Sequence, residues 1–123
     1  MVVFDSGGLI SLERRQVRMW RLVRRVARER QRIILPAGVF AQVWRDDPRQ
    51  HAIARLVKGR TTLVDPLTRE TARQVGVLLG RTGGSDVVDG HVALLGRKFQ
   101  APVLTSDPDD IGKLDPTLTI VRI

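Results

Sequence analysis

Short apolar runs alternate along the chain with longer segments in which apolar residues recur every three or four positions. The first run is Val2–Phe4, and similar runs occupy residues 33–35 and Val103–Thr105. Residues 61–64 and 118–123 are further, weaker strand candidates. Continuous β-prone runs bounded by turn residues are typical of strands that are buried on both faces of a parallel sheet.

Between these runs the spacing is helical. A turn is expected at residues 6–8, and helices are expected at residues 9–14, 16–31, 36–44, 50–57, 67–79, 86–99 and 107–114. The second helix carries an apolar stripe of Trp20, Val23 and Ala27, flanked by Met19, Leu22 and Val26, and Ser85 is the expected N-cap of the helix at 86–99. Strands that alternate with helices predict an α/β fold. We expect a three-layer α/β/α sandwich around a mostly parallel sheet of four to five strands.

The composition is that of a globular protein. At 123 residues we expect one domain, residues 1–123. The chain is 42% hydrophobic and 28% charged, and this composition excludes a disordered chain. The absence of cysteine excludes disulfides and thiolate metal sites. No apolar run reaches the roughly 20 residues that a membrane helix needs. Met1 leads directly into a strand without room for a secretory leader, so a cytoplasmic location is expected.

The charge is strongly positive and almost entirely due to arginine. Lys and Arg number 21 against 13 acids, giving a formal net charge of +8. A high genomic G+C content would also enrich arginine over lysine, but the balance also favours a polyanionic partner. One helical face carries a stripe that is either a solvated surface or a contact surface, and its members are Arg14, Arg18, Arg21, Arg25, Arg28 and Arg32.

Four aspartates carry most of the chemical information. Asp5 and Asp107 follow predicted strands, and Asp86 and Asp89 open a predicted helix. The carboxyl ends of parallel strands line the crevice where α/β sheets bind ligands. Carboxylates brought together there repel by about 4 kcal/mol per pair at 4 Å and an effective dielectric near 20. A divalent cation with oxygen ligands relieves that repulsion, so the pattern predicts a metal-dependent enzyme.

Other readings of these residues remain open. Asp86 could simply cap its helix, whereas Asp89 continues through the small residues Ala93 and Gly96 and should face inward. Ser6 and Thr105 could supply hydroxyls to water or phosphate, or could serve only turn capping and strand filling. Lone histidines argue against zinc, and no P-loop or dinucleotide-binding glycine motif is present.

The chain resembles the PIN-domain ribonucleases, specifically the VapC-like toxins of type II toxin–antitoxin systems. The resemblance extends over nearly the whole length, and it rests on residues 3–6, 35–43, 89–93 and 103–110 in that order. It implies a Mg²⁺- or Mn²⁺-dependent endoribonuclease that cuts RNA, forms a homodimer and is inhibited by a small antitoxin. The arginines at 14, 18, 21 and 25 would then contact RNA or the antitoxin.

Residue by residue, the family's three aspartates fall on Asp5, Asp89 and Asp107, with Asp86 as an additional acid. The family's usual glutamate falls on Gln42, which brings neither charge nor basicity but could hold a metal-bound water. That departure leaves open a catalytically weak or inactive module that binds RNA or an antitoxin. An aspartyl-phosphate phosphatase is disfavoured, because no second acid stands two residues after Asp5.

Overall fold

Five strands form one sheet in which every neighbouring pair is parallel, in the order β3-β2-β1-β4-β5. The computed structural model describes all 123 residues, Met1–Ile123. The strands are β1 (Val2–Phe4), β2 (Ile33–Pro36), β3 (Thr62–Asp65), β4 (Val103–Thr105) and β5 (Ile120–Arg122). The helices are α1 (Ser6–Glu13), α2 (Val17–Arg28), α3 (Ala37–Val43), α4 (His51–Lys58), α5 (Arg69–Thr82), α6 (Val87–Phe99) and α7 (Pro108–Leu114). A 3-10 turn at Pro48–Gln50 precedes α4.

Helices pack on the sheet in two groups. Helix α1 packs against α2, α3 and α4, whereas α6 packs against α5 and α7. Both α1 and α6 contact β1 and β4, and the residues of those two strands are buried. Strands covered on both faces need to be apolar throughout, which is why they read as unbroken hydrophobic runs. The predicted α/β/α sandwich is confirmed, with five strands that are all parallel.

The strand order reverses between β1 and β4. From β1 the chain proceeds outward through β2 to β3, and β4 and β5 lie on the other side of β1. In open parallel sheets such a reversal leaves a crevice beyond the carboxyl ends of the two strands. Asp5 follows β1 at this point and Ser106 follows β4, so the fold brings the two segments together.

The turn predicted at residues 6–8 is wrong, because α1 begins directly after β1. The Asp5 side chain accepts a hydrogen bond from the Ser6 backbone N–H and caps the helix. Gly7 is buried within the first turn, and a Cβ there would lie 2.9 Å from the Ser106 backbone nitrogen. Glycine at this position therefore reflects the close approach of the β4–α7 connection rather than a bend.

The inward face of α2 is one flank of the predicted apolar stripe and not its centre. Met19 and Val26 are buried, Trp20 is 39% exposed, and Ala27 is exposed. The buried stripe thus begins one residue earlier, a rotation of about 100°. A broad apolar stripe does not by itself define which of its edges packs against the neighbouring helix.

The connection between α5 and α6 differs from the prediction as well. Helix α5 continues to Thr82 and is ended by Gly83, whose φ of 75° is the left-handed conformation common after a helix. The N-cap of α6 is Asp86 rather than Ser85. No helix combines the length and the apolar character needed to cross a bilayer.

Replacing Gly7 by alanine tests the close packing beneath the crevice. A Cβ would lie 2.6 Å from the Ser106 Oγ and 2.9 Å from its backbone nitrogen, so the connection must shift. We expect Gly7→Ala to lower the free energy of unfolding by about 1–3 kcal/mol in urea denaturation. The control is Gly76→Ala in α5, where a Cβ meets nothing within 4 Å and helix propensity favours alanine by about 1 kcal/mol. Equal effects of the two variants would contradict the packing argument.

Candidate active site

The centre of the site is the buried carboxylate of Asp5, which is 5% exposed. Its Oδ1 accepts a hydrogen bond of 2.7 Å from the Ser6 backbone N–H, and its Oδ2 accepts one of 2.8 Å from the Thr105 hydroxyl. Each carboxylate oxygen has room for a second partner, since a carboxylate offers about four lone-pair positions. Asp5 is therefore fixed in orientation while retaining free acceptor capacity.

Thr105 connects the two strand ends at the crevice. Its Oγ1 donates to Asp5 and accepts a 2.9 Å hydrogen bond from the Asp107 backbone N–H. The Asp107 side chain itself is exposed at the start of α7. Thr105 is thus more than a strand filler, because its hydroxyl joins β1 to the β4–α7 connection.

The first turn of α6 supplies two further acids. Asp86 caps the helix by accepting a 3.0 Å hydrogen bond from the Asp89 backbone N–H. Asp89 is half-buried, and Ala93 and Gly96 on its face are buried, as the spacing predicted. A Cβ on Gly96 would lie 2.8 Å from Val103 Cγ2, so this face of α6 packs tightly on β4.

Electrostatics show that these acids affect one another. Burial raises the pKa of Asp89 to about 6, and repulsion from other carboxylates adds to the shift. In decreasing order of effect, those acids are Asp86, Asp5, Asp110 and Asp107. The pKa of Asp107 is raised as well, chiefly because its carboxyl forms a hydrogen-bonding contact with that of Asp110. The sheet end therefore concentrates negative charge.

A cavity of about 250 Å³ opens beside these acids. Asp86, Asp89 and Asp110 line it together with Lys113, whose ammonium is the one cation among the lining residues. The other lining residues are Thr82, Gly83, Gly84, Ser85 and Leu114. The acidic cavity thus lies between the α5–α6 connection and helix α7.

The donor chemistry of the site suits a hard divalent cation, but the side chains do not form a finished coordination shell. All its acids are oxygen donors, and burial together with repulsion from the neighbouring acids raises the pKa of Asp89. No three acid or histidine side chains converge closely enough in this structure to hold one ion together. Ion binding would require the carboxylates to draw closer around the fixed Asp5.

Gln42 lies outside the acidic cavity. It is exposed near the end of α3 and lines a different cavity, of about 710 Å³. Arginines dominate that second cavity, and Arg14 is among them. The structure therefore does not bring Gln42 together with Asp86, Asp89 and Asp110.

The four arginines predicted to contact RNA or a partner are divided between two surfaces. Arg14 lines the cavity that contains Gln42, whereas Arg18, Arg21 and Arg25 line a groove of about 700 Å³. The walls of this groove are mainly apolar, and they include Met1, Val17, Leu22, Val26, Val121 and Ile123. The predicted arginine stripe thus contributes to two different surfaces.

Two residues near the site, Lys113 and Asp65, were not singled out by the sequence pattern, whereas Asp110 belongs to the stretch 103–110 that carries the family resemblance. Lys113 and Asp110 line the acidic cavity. Asp65 closes β3, and its Oδ2 lies 2.8 Å from Nε2 of His91, which is only 2% exposed. Asp65 could have been identified from the sequence, because it is an acid that directly follows the strand predicted at residues 61–64. His91 has a carboxylate partner and is not the lone imidazole that the sequence suggested.

Comparison with solved structures places this architecture in a known fold. A chain in the structure of FitAB bound to the IR36 DNA fragment superimposes with a TM-score of 0.65 at 15% identity, covering 99% of this chain and 94% of that one. A chain of FitAcB from Neisseria gonorrhoeae gives 0.61 at 14% identity, with coverages of 99% and 97%. The likeness shows the PIN-like fold that the sequence resemblance implied. No family model matches the chain, and no curated protein matches it by sequence.

Replacement of the Thr105 hydroxyl tests its connecting role. Thr105→Val keeps the shape but leaves buried Asp5 and the Asp107 N–H without this partner. We expect the free energy of unfolding to fall by about 1–3 kcal/mol, measured by urea denaturation. Thr105→Ser retains the hydroxyl and should recover most of the loss. A serine variant as unstable as the valine variant would show that packing, not hydrogen bonding, matters at this position.

The raised pKa of Asp89 predicts how stability depends on pH. The folded pKa of about 6 exceeds the ordinary 3.8, so the favourable contribution of the protonated form is complete below 3.8 and is lost as the pH rises through 6. Asp89→Asn should remove this loss. We therefore expect the variant to melt higher than the parent above pH 6, with the difference shrinking on acidification, in melting curves recorded with EDTA.

The matched control for that experiment is Glu29→Gln, an exposed acid after α2 that contributes to neither the Asp89 nor the Asp107 shift. Its melting temperature should follow the parent across the pH range. A parental profile in Asp89→Asn would mean that burial and repulsion of the Asp89 carboxylate do not affect stability.

Proposed function

We propose that this protein is a divalent-metal-dependent endoribonuclease that acts as the toxin of a toxin–antitoxin pair. The proposal rests chiefly on one observation, the half-buried carboxylate of Asp89, which Asp86, Asp5, Asp110 and Asp107 repel at the strand reversal. The PIN-like fold shared with the FitAB and FitAcB chains supports it. The substrate in this proposal is RNA, and the reaction is hydrolysis of a phosphodiester bond.

Mg²⁺ or Mn²⁺ is the proposed cofactor, with Asp5, Asp89 and Asp107 as its ligands and Asp86 as an additional acid. When bound, such a cation neutralises the carboxylates, polarises the phosphate and lowers the pKa of a water molecule for in-line attack. The protein keeps Asp5 in one orientation through Ser6 and Thr105. Fixed orientation matters because a displaced carboxylate would present its charge to the wrong atom.

Another side chain of the acidic cavity would act directly on the substrate. The Lys113 ammonium lies among the cavity-lining residues and is available to a phosphate oxygen. This role belongs to a residue of the chain and does not depend on the number of ions.

The proposed partners are a small cognate antitoxin and a second copy of the chain. The apolar groove lined by Arg18, Arg21 and Arg25 suits an amphipathic, acidic antitoxin segment. The structural likeness to FitAB and FitAcB supports a toxin–antitoxin assignment. A toxin of this type would act in the cytoplasm, where its RNA is found.

A second candidate is a catalytically weak or inactive PIN-like module that binds RNA or an antitoxin. Two observations favour it. No three acids converge to hold an ion, and Gln42 occupies the family's glutamate position while lying outside the acidic cavity. Such a module would have the same fold and binding surfaces but would not cleave RNA.

Cleavage of a labelled RNA by the purified chain tests the proposal. We expect products with Mn²⁺ or Mg²⁺ and none with EDTA, because the carboxylates cannot act on phosphate without a neutralising ion. Asp5→Asn should reduce the rate by at least about 100-fold, since it removes a central acid. The matched control is Glu70→Gln, an exposed acid of α5, which should cleave like the parent.

Manganese-induced shifts of the melting temperature, read beside the assay, separate the two candidates. A shift in the parent that is absent in Asp5→Asn, together with cleavage, supports the nuclease. A parent that binds RNA but shows neither cleavage nor a shift would support the inactive module. Cleavage that survives Asp5→Asn would place the activity elsewhere or in a contaminant.

A further inference from the structure

The cavity that contains Gln42 lies where α1 and α3 end. Its volume is about 710 Å³, and only two of its ten lining residues, Ile10 and Val43, are apolar. Four arginines line it, at positions 14, 15, 45 and 49, against two acids, Glu13 and Asp47. This surface is therefore polar and cationic, unlike the apolar groove of Arg18, Arg21 and Arg25.

Most of that positive charge has no partner within the chain. Arg49 is paired with Asp47 at 3.1 Å, which accounts for one cation and one acid. Arg14 and Arg15 form no salt bridge, and neither does Glu13, the remaining acid of the lining. Exposed guanidinium groups that lack carboxylate partners are suited to bidentate recognition of phosphate.

Arg45 is held in place at the end of α3. Its Nη1 donates to the carbonyl oxygens of Ala41 at 3.1 Å and Trp44 at 2.7 Å, which leaves its other guanidinium nitrogens unbonded. Buried Gln50, 4% exposed, accepts from the Arg45 backbone N–H at 2.8 Å and donates to the Val43 carbonyl at 2.7 Å. The wall beside Gln42 is thus built on a buried polar side chain.

Gln42 is chemically suited to this setting. Its amide has two N–H donors and no charge, so it can donate to a phosphate oxygen beside the arginines. A glutamate at the same place would repel that phosphate. Gln42 is therefore better suited to an anion site than to a metal site, and it lies outside the acidic cavity.

We propose that this cavity binds a backbone phosphate of single-stranded RNA through Arg14, Arg15, Arg45 and Gln42, at a distance from the bond that is cut. The proposal deepens the proposed function and rests on it for the identity of the polyanion. Helix α1 begins at the Asp5 cap and ends beside the cavity, so its eight residues separate the two sites by about 12 Å. A single RNA strand is long enough to reach both sites.

An acidic protein segment is the competing occupant. Helical segments that dock on a protein surface insert apolar anchors into a hydrophobic groove. This cavity offers only Ile10 and Val43 for such contacts. Its chemistry accordingly favours a phosphate chain over a peptide.

Fluorescence anisotropy with a labelled single-stranded RNA in EDTA tests the site without any cleavage. For single strands the slope of log K against log salt is about −0.7 per neutralised phosphate. If Arg14 and Arg15 each neutralise one phosphate, the double variant Arg14→Gln with Arg15→Gln should reduce the magnitude of the slope by about 1.4. The matched control is Arg69→Gln in α5, which contributes no residue to the cavity. It should leave the slope and the affinity unchanged.

Gln42→Glu separates the anion site from a metal site. It should weaken RNA binding in EDTA severalfold, and Gln42→Asn should weaken it less, with melting temperatures unchanged in both. A parental slope in the double arginine variant, or parental affinity in Gln42→Glu, would overturn the proposal. The proposal would also be overturned if a polyglutamate peptide displaced the labelled RNA as effectively as an unlabelled RNA of equal charge does. The binding measurements contain no metal and do not depend on cleavage. If the cleavage assay fails while the arginine and Gln42 variants change RNA binding as expected, the nuclease proposal is refuted and the phosphate site is retained.

Discussion

Burial of the Asp5 carboxylate at the carboxyl end of the central strand is the constraint on which the site depends. A buried charge is costly unless it is hydrogen-bonded, and the Ser6 N–H and the Thr105 hydroxyl meet that need. The first partner requires α1 to begin at once, and the second requires β4 to lie beside β1. One carboxylate thus links the start of a helix, the strand order and the position of the β4–α7 connection.

The arrangement of charge around Asp5 lowers the stability of the fold. Burial and the neighbouring acids raise the pKa of Asp89, whereas the chain as a whole carries a net charge of +8. Repulsion of this kind destabilises the fold, and natural proteins retain such features at functional sites. Lys113 is the one cation among the residues that line the cavity beside these acids.

Two helices connect the acidic end of the molecule with a basic one. Helix α1 starts at the Asp5 cap, and Gly38 in the first turn of α3 packs against Val88 in the first turn of α6. Both end beside arginines, where Gln42 lies. The strand ends thus collect oxygen donors, as the proposed cation requires, and the helix ends collect nitrogen donors, as the proposed phosphate requires. The proposed phosphate site would also account for the uncharged Gln42 where the resembled family has glutamate.

The sequence by itself determined the α/β class, the positions of all five strands and the acids that follow them, because hydrophobic periodicity reports local burial. It also identified the inward face of Asp89. Tertiary packing decided the helical start at Ser6, the rotation of α2 that exposes Trp20, and the division of the arginines between two surfaces. The physical reason is that periodicity states which side of an element is buried. The partner across that side, and hence the cavity that a polar residue such as Gln42 lines, depends on contacts between distant parts of the chain.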